Sequence, residues 1–371
     1  MKIAIDARMY GEKQTTGIGQ YIKQITDNIF RIDEENEYIM FMREPEFSTY
    51  FPPSPRVKKI LVTPRWYTYA EQFKLPFEFA KEKFDLIHYP HFNSPIFFRK
   101  KSVCTIHDVT PFLFPGHRMK SIIRRLGYRT VFAGTVNNAK KIITVSESTK
   151  NGIIKHFKID SEKIKVIYEG VDERFKVTVE NGIISSVKKR YNITGPFILF
   201  VGVWRNHKNI EGLISAYEIL KKKYHIRQKL VLAGQEDKDY SNIRTMIENS
   251  GYKDCIITPG FIESKDLPSL YSGADVFVIP SFIEGFGLIA LEAQKCGCPV
   301  VASNITSLPE ILADSAILFD PYNKNQMAEK IYTILDNKKL QQELREKGFQ
   351  NVERFSWEKA ARETIEVYTE R

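Results

Sequence analysis

The sequence predicts an α/β chain built as two parallel-sheet domains, and three observations lead there. First, the chain opens on an apolar strand, KIAIDA (Lys2 to Ala7), then a loop holding Gly17 and Gly19. A run with apolar Tyr21, Ile22, Ile25, Ile29 and Phe30 at helical spacing follows. Second, the same design restarts at FILFVGVW (Phe197 to Trp204), followed by RNHKN and the helical IEGLISAYEILKKK. Third, short apolar runs alternate with helical patterns after both openings, as expected for a parallel sheet covered by helices. A length of 371 residues suits two domains of ordinary size. The polar, Gly-interrupted stretch 176–195 is the expected linker. The predicted division is therefore 1–180 for the first domain, 190–355 for the second, and a final segment 356–371.

In the first domain EYIMFM and KKILV read as the next strands, and FDLIHYP and SVCTIHD as two more that end in polar residues. Open α/β sheets bind ligands outside the carboxyl ends of their strands, so His107 and Asp108, at such an end, are candidate site residues. His88 and His91 stand three apart in a Pro-bounded extended segment with no adjacent Cys or carboxylate, which argues against a metal site. KIITVS is a buried strand, and Ser146 to Phe157 a capped helix. KIKVIYEGVD supplies one further strand.

In the second domain Arg205 and Lys208 follow the first strand. KLVLAG is the next strand, and Asp237-Lys238-Asp239 lies in the polar loop after it. The most informative stretch is Pro280 to Glu310, PSFIEGFGLIALEAQKCGCPVVASNITSLPE. ADVFVIPS before it reads as a buried strand. Glu284, Gly285, Phe286 and Gly287 form a turn, Leu288 onward a helix ending at Gly297, and CPVVAS another strand. A helix beginning near Gly287 aims free N–H groups and a positive dipole end at the turn, which suits phosphate. Glu284 lies in the turn and Glu292 roughly one and a half turns into the helix. Two carboxylates so placed can grip different parts of one long, hydroxyl-rich ligand.

E-G-F-G-L-x-x-x-E after a strand ending in P-S resembles the E-x7-E motif of retaining glycosyltransferases of family 4, which have the GT-B fold. The resemblance runs from the first strand to F-S-W-E-x-x-A at Phe355 to Ala361; the H-D-V-T-P and H-K-N pair is most similar to mannosyl- or rhamnosyl-type enzymes of bacterial surface-polysaccharide assembly, with mannosyltransferases favoured. It implies two Rossmann-like domains facing across a cleft, with the C-terminal helix crossing back to the first domain. It also implies roles. Glu292 would bind the donor ribose, and Glu284 with the backbone of Gly285, Phe286, Gly287 and Leu288 the donor sugar. Lys208 and Arg205 would stabilise the leaving diphosphate, and His107 of H-D-V-T-P would position the sugar. Gly17 and Gly19 would face the diphosphate, and Gly260, Phe261 and Ile262 the base. Glu284, His107, Lys208 and Arg205 are thus the implied catalytic group. The chain departs from the family in having Val203 where an Arg often follows the glycine. No metal or other cofactor is implied, since cations and helix ends supply the positive charge. The implied reaction moves a sugar, with GDP-mannose favoured as donor, to an acceptor hydroxyl on a glycan or lipid-linked saccharide. The alternatives are a UDP-sugar donor, or a sugar-nucleotide-binding protein without catalysis.

Charge and composition bound the partners. The formal net charge is +10, and residues 1–175 hold 29 Lys and Arg against 20 Asp and Glu, while 176–371 hold 26 against 25. The excess concentrates in Arg99-Lys100-Lys101 and in His117 to Arg129, with aromatics nearby in WYTYAEQF (Trp66 to Phe73). An anionic membrane surface or lipid-linked acceptor is the partner this suits; no nucleic-acid motif is present. MKIAIDARMY carries Asp6 and Arg8 inside its apolar run, so it reads as a strand rather than a signal peptide. The four cysteines do not form a disulfide framework pattern. The expected location is cytoplasmic, peripheral at the inner face of the membrane.

Overall fold

The computed structural model describes residues 1–11, 17–110 and 121–370. The chain divides into two compact units, Met1–Gly170 with Ser356–Arg371, and Val171–Phe355. The change of unit falls at Gly170/Val171, before the stretch expected to be the linker. That stretch holds a helix, Asn181–Arg190, which belongs to the second unit and buries Val187. Its polarity is that of a mostly solvated helix face, which composition alone does not separate from a linker.

The first unit is a seven-stranded parallel sheet in the order β3-β2-β1-β4-β5-β6-β7. The strands are β1 (Lys2–Asp6), β2 (Glu37–Met42), β3 (Val57–Leu61), β4 (Leu86–Tyr89), β5 (Ser102–Ile106), β6 (Lys141–Thr144) and β7 (Ile164–Val166). β4 and β5 are buried at every position, as expected for central strands covered on both faces. The helix Gly17–Ile32 buries Tyr21, Ile22, Ile25, Ile29 and Phe30, the periodic set read from the sequence. It includes Gly17 and Gly19, which the sequence reading placed in a loop. The apolar period continues through the two glycines, which add no bulk to interrupt a first helical turn. The rest of that expected loop, 12–16, lies outside the described residues, as do Pro111 and His117 to Lys120. Ser146 caps the helix Glu147–Phe157 by accepting from the Thr149 amide at 3.1 Å.

The last helix, Trp357–Thr369, belongs to this unit and packs on Gly17–Ile32. Its buried Tyr368 hydroxyl meets His88 Nδ1 at 2.6 Å, and Thr105 Oγ1 meets His88 Nε2 at 2.8 Å. Burial pushes the His88 imidazole down to about 3, so it is a neutral interior link. At Gly170 a Cβ would lie 2.1 Å from the Trp357 backbone nitrogen, so only glycine allows this approach.

The second unit is a six-stranded parallel sheet in the order β10-β9-β8-β11-β12-β13. Its strands are β8 (Phe197–Val201), β9 (Lys229–Ala233), β10 (Ile256–Gly260), β11 (Val276–Ile279), β12 (Val300–Ser303) and β13 (Ile317–Phe319). Helix Ile210–Tyr224 covers β8 and β9 with Leu213, Ile214, Tyr217 and Leu220. In both units the central pair, β1/β4 and β8/β11, is where strand order reverses. Loops diverge there and open a crevice at the strand carboxyl ends.

Candidate donor site

The turns that leave β8 and β11 flank the reversal point of the second unit. After β8, the chain runs through a short 3₁₀ turn, Asn206–Lys208, to Asn209. Asn209 is buried with φ of 53°, a conformation Asn tolerates better than most residues. Its amide donates to the Pro280 and Pro321 carbonyls, both at 2.9 Å. The Phe282 amide donates to the His207 carbonyl at 2.7 Å. These bonds tie the Lys208 turn to the end of β11.

The result is a direct ion pair. Lys208 Nζ donates to Glu284 Oε1 at 2.7 Å, with side chains 18% and 11% exposed. Ser281 Oγ donates to the same oxygen at 2.6 Å. Burial pushes the Glu284 carboxyl upward, but the Lys208 charge and hydrogen bond outweigh it and hold the group below its usual range. Burial and the neighbouring Lys208 push His207 down to about 4, so it is neutral near pH 7. The Glu284 amide donates to Thr306 Oγ1 at 3.1 Å, and Ser307 Oγ donates to the Glu284 and Phe286 carbonyls at 3.1 and 3.0 Å. The turn geometry is therefore held from the loop after β12.

Gly287 precedes the helix Leu288–Lys295 with φ of 100°, and a Cβ there would lie 2.8 Å from Leu308 Cδ2. Glycine is required on both counts. The helix start lies beside the Glu284 turn, as the sequence pattern predicts. Phe286 is buried edge-on against Phe355, so what it offers a ligand is backbone. Glu292 is half-buried, and Tyr271 Oη donates to its Oε2 at 3.2 Å. Arg205 turns to a different partner: its Nε donates to Asp237 Oδ2 at 3.4 Å, and its side chain is half exposed. Asp237 also caps its own turn, accepting from the Asp239 amide at 3.2 Å. Gly260 ends β10 with φ of 75°, Phe261 is 64% exposed and Ile262 is buried.

In the first unit His107 follows β5. Its Nε2 lies 2.9 Å from the Pro90 carbonyl oxygen and its Nδ1 3.3 Å from Glu169 Oε1, with the edge of Tyr21 against the ring. Asp108 accepts from the Thr110 amide at 2.7 Å, the local turn expected of it.

The structure thus brings Lys208, Glu284 and the Gly287 helix start together and adds five residues that sequence reasoning missed: Asn209, Ser281, Thr306, Ser307 and Tyr271. Only Ser281 left a trace, as the P-S that closes β11. The others act through contacts distant in sequence. Among the described residues no cluster of His, Cys, Asp or Glu is arranged to hold a metal ion.

Two family models match the chain: "Glycosyl transferases group 1" over residues 185–351 and "Glycosyltransferase Family 4" over 30–175. The O-antigen chain mannosyltransferase B of Escherichia coli is 30% identical over 283 residues, covering 76% of this chain and 74% of that protein. The serotype-specific mannosyltransferase WbdA of Escherichia coli is 32% identical over 272 residues; the match covers 72% of this chain and 33% of WbdA. Among solved structures, Anabaena Alr3699/HepE in complex with UDP-glucose superposes with a TM-score of 0.79 at 19% identity over 100% of both chains. A sucrose-phosphate synthase from Thermosynechococcus elongatus gives 0.77 at 23% identity, covering 99% of this chain and 98% of that one. With two parallel Rossmann-like sheets and matches to the family over both units, the chain belongs to the group 1/family 4 glycosyltransferases of the GT-B fold and is a glycosyltransferase related to bacterial O-antigen mannosyltransferases.

Proposed function

We propose that this enzyme transfers mannose from GDP-mannose to a hydroxyl of a glycan or lipid-linked saccharide, with retained anomeric configuration. The observation that carries the reading is the Lys208–Glu284 pair at the reversal point, beside a helix N-terminus. A lysine held by one carboxylate oxygen keeps two further N–H donors for diphosphate oxygens. Glu292, oriented by Tyr271, takes the ribose diol. In the proposed step the bond from the anomeric carbon to the β-phosphate oxygen breaks. The acceptor oxygen bonds that carbon from the same face, and its proton passes to the departing phosphate. Lys208 and the helix amides stabilise the growing negative charge. Arg205 joins them once released from Asp237. His107 orients the donor sugar. No metal is needed in this scheme. Mannose is favoured because two of the relatives in this identity range, mannosyltransferase B and WbdA, are named mannosyltransferases over 76% and 72% of this chain.

Thermal stabilisation of the purified protein by GDP, UDP, GDP-mannose and UDP-glucose, with and without chelator, tests the donor. A shift with GDP and GDP-mannose that survives chelator is expected. A shift with the uridine nucleotides alone overturns the choice of donor, and binding without turnover on any acceptor saccharide returns the protein to a binding role.

The acceptor side is read from the first unit. Among the described residues, the first turns of the helix Ile122–Asn138 expose Ile122, Ile123 and Leu126 beside Arg124, Arg125 and Arg129, and the helix has no acidic residue. Tyr69, Phe73 and Phe77 are exposed elsewhere in this unit. Exposed apolar side chains among arginines suit the anionic inner face of a membrane. No helix among the described residues is long and apolar enough to cross one. Cosedimentation with phosphatidylglycerol vesicles but not with phosphatidylcholine vesicles, lost at high salt, is the expected result.

A further inference from the structure

Glu169 enters none of the roles above, yet it is 7% exposed and its carboxylate lies against the His107 ring, with its charge also felt by the Tyr21 phenol. A buried carboxylate needs a partner of opposite charge or several donors. Here its Oε1 lies 3.3 Å from His107 Nδ1. The other ring nitrogen, Nε2, lies 2.9 Å from the Pro90 carbonyl oxygen. Carboxylate and carbonyl oxygens only accept, so both bonds form together only if both ring nitrogens carry protons. A neutral imidazole would turn a lone pair toward one of the two oxygens.

We propose that Glu169 is a positioning residue for His107, fixing the ring's orientation and keeping both of its nitrogens as proton donors. This rests on the reading in which His107 orients the donor sugar. It deepens that reading by saying what His107 offers: an N–H donor at Nε2, held by the Pro90 carbonyl until a sugar oxygen replaces it. Glu169 stays on Nδ1 through the exchange, so the ring does not flip and present an acceptor instead. A hydroxyl or phosphate oxygen of the donor is recognised; a ligand group that can only donate is not.

The surroundings support the assignment. Tyr21, whose ring centroid is 4.6 Å from that of His107 at an interplanar angle of 83°, blocks rotation on one side. Burial also holds Tyr21 in its neutral phenol form. On another side His91, 6.2 Å away between ring centroids, is pushed well below the usual imidazole range by burial and by His107 itself, so it adds no charge. His88 is neutral for the same reasons. Asp108 is adjacent in the chain and adds to the negative potential at the ring. Burial pulls His107 down, but Glu169, the Pro90 carbonyl and Asp108 outweigh it and raise the imidazolium above its ordinary range. The sign follows: the donor form is complete at low pH and is lost as pH rises through this raised value.

The test uses the full chain labelled with ¹⁵N-histidine, with His107 assigned among the seven histidines by H107Q. Both ring nitrogens of His107 are expected to read as protonated at pH 7 in the wild type. In E169Q the titration midpoint falls by at least about one unit, a tenfold loss of proton affinity. E169D, which keeps the charge, retains most of the shift. A neutral His107 at pH 7 in the wild type, or an unchanged midpoint in E169Q, overturns the proposal. The functional arm follows GDP-mannose cleavage against pH. E169Q is expected to lose about tenfold at pH 8 and to recover to within about threefold near pH 5.5. A loss equal at all pH values marks a merely structural role and overturns the positioning assignment. If the wild type neither binds nor cleaves GDP-mannose, the donor reading fails on its own terms, while the nitrogen titration still decides the Glu169–His107 pairing.

Discussion

The two units share one strand order around their central pair and put a cation and carboxylates at the same place in it, with opposite outcomes. In the second unit Lys208 meets Glu284 through a single 2.7 Å contact, and both groups stay partly accessible. In the first unit Arg8 follows β1 and is sealed. Its guanidinium donates to both oxygens of Asp6 at 2.7 Å and to Glu71 at 2.6 Å, with Arg8 3% and Glu71 2% exposed. Asn93 donates to Glu71 at 2.6 Å. A planar fork satisfied on two sides and shut from water is a structural tie, whereas a flexible ammonium on one oxygen can be exchanged for a ligand. Equal topology therefore does not give equal function. What separates the two crevices is whether the charged pair can be opened.

The largest expected effect breaks the sealed side. R8M leaves two buried carboxylates without their cation and is expected to destabilise the protein by about 3–5 kcal/mol, read from denaturant unfolding. Next comes the open side. K208A is expected to lower kcat by about 10²–10³-fold, while stability falls by about 1–3 kcal/mol, less than in R8M because Glu284 keeps the Ser281 hydrogen bond. If R8M lowered turnover of a fully folded enzyme, or K208A mainly unfolded the protein, the contrast between the crevices would collapse. E292Q is expected to weaken nucleotide binding about tenfold, since one charged acceptor for the ribose diol becomes a neutral one; isothermal titration with GDP checks it. Unchanged binding removes its ribose role. The smallest effect is Y271F, about threefold on the same binding constant, through loss of one orienting hydrogen bond.

Acid sharpens the comparison. Glu284 is depressed in the folded state, so the stability its pair contributes is present above the ordinary carboxylate value and fades as pH falls through the lower folded one. The stability difference between wild type and E284Q should therefore be constant from pH 8 to 6 and shrink toward pH 3. Chemical denaturation across that range reads it directly.

Much of this was legible in the sequence because it is local. Strand runs, the Gly287 turn and the Glu284-to-Glu292 spacing are set by residues within one supersecondary unit, and Lys208 sits in the matching place after β8. What was hidden depends on contacts between distant residues. Asn209 reads as a plain helix-start residue until its amide is seen bridging Pro280 and Pro321. Arg205 carries the same charge as Lys208, but the Asp237 loop draws it aside. Gly17 and Gly19 suggested a loop because glycine disfavours helix interiors; packing of the apolar face after them decides otherwise. The segment 176–195 was read by composition, and composition does not register the one buried valine by which its helix docks.

The last helix carries a consequence for how the molecule is made. The first unit is written in two pieces, with the whole second unit inserted between Gly170 and Ser356. A ribosome therefore releases the second unit's complete sheet before the first unit has its final helix. Until residue 368 emerges, His88 sits in the middle of the first sheet without the hydroxyl that meets its Nδ1, and the Gly17–Ile32 helix lacks its neighbour. The half translated first is the half that finishes last, and a chain halted after Phe355 would hold a finished second unit beside an incomplete first one.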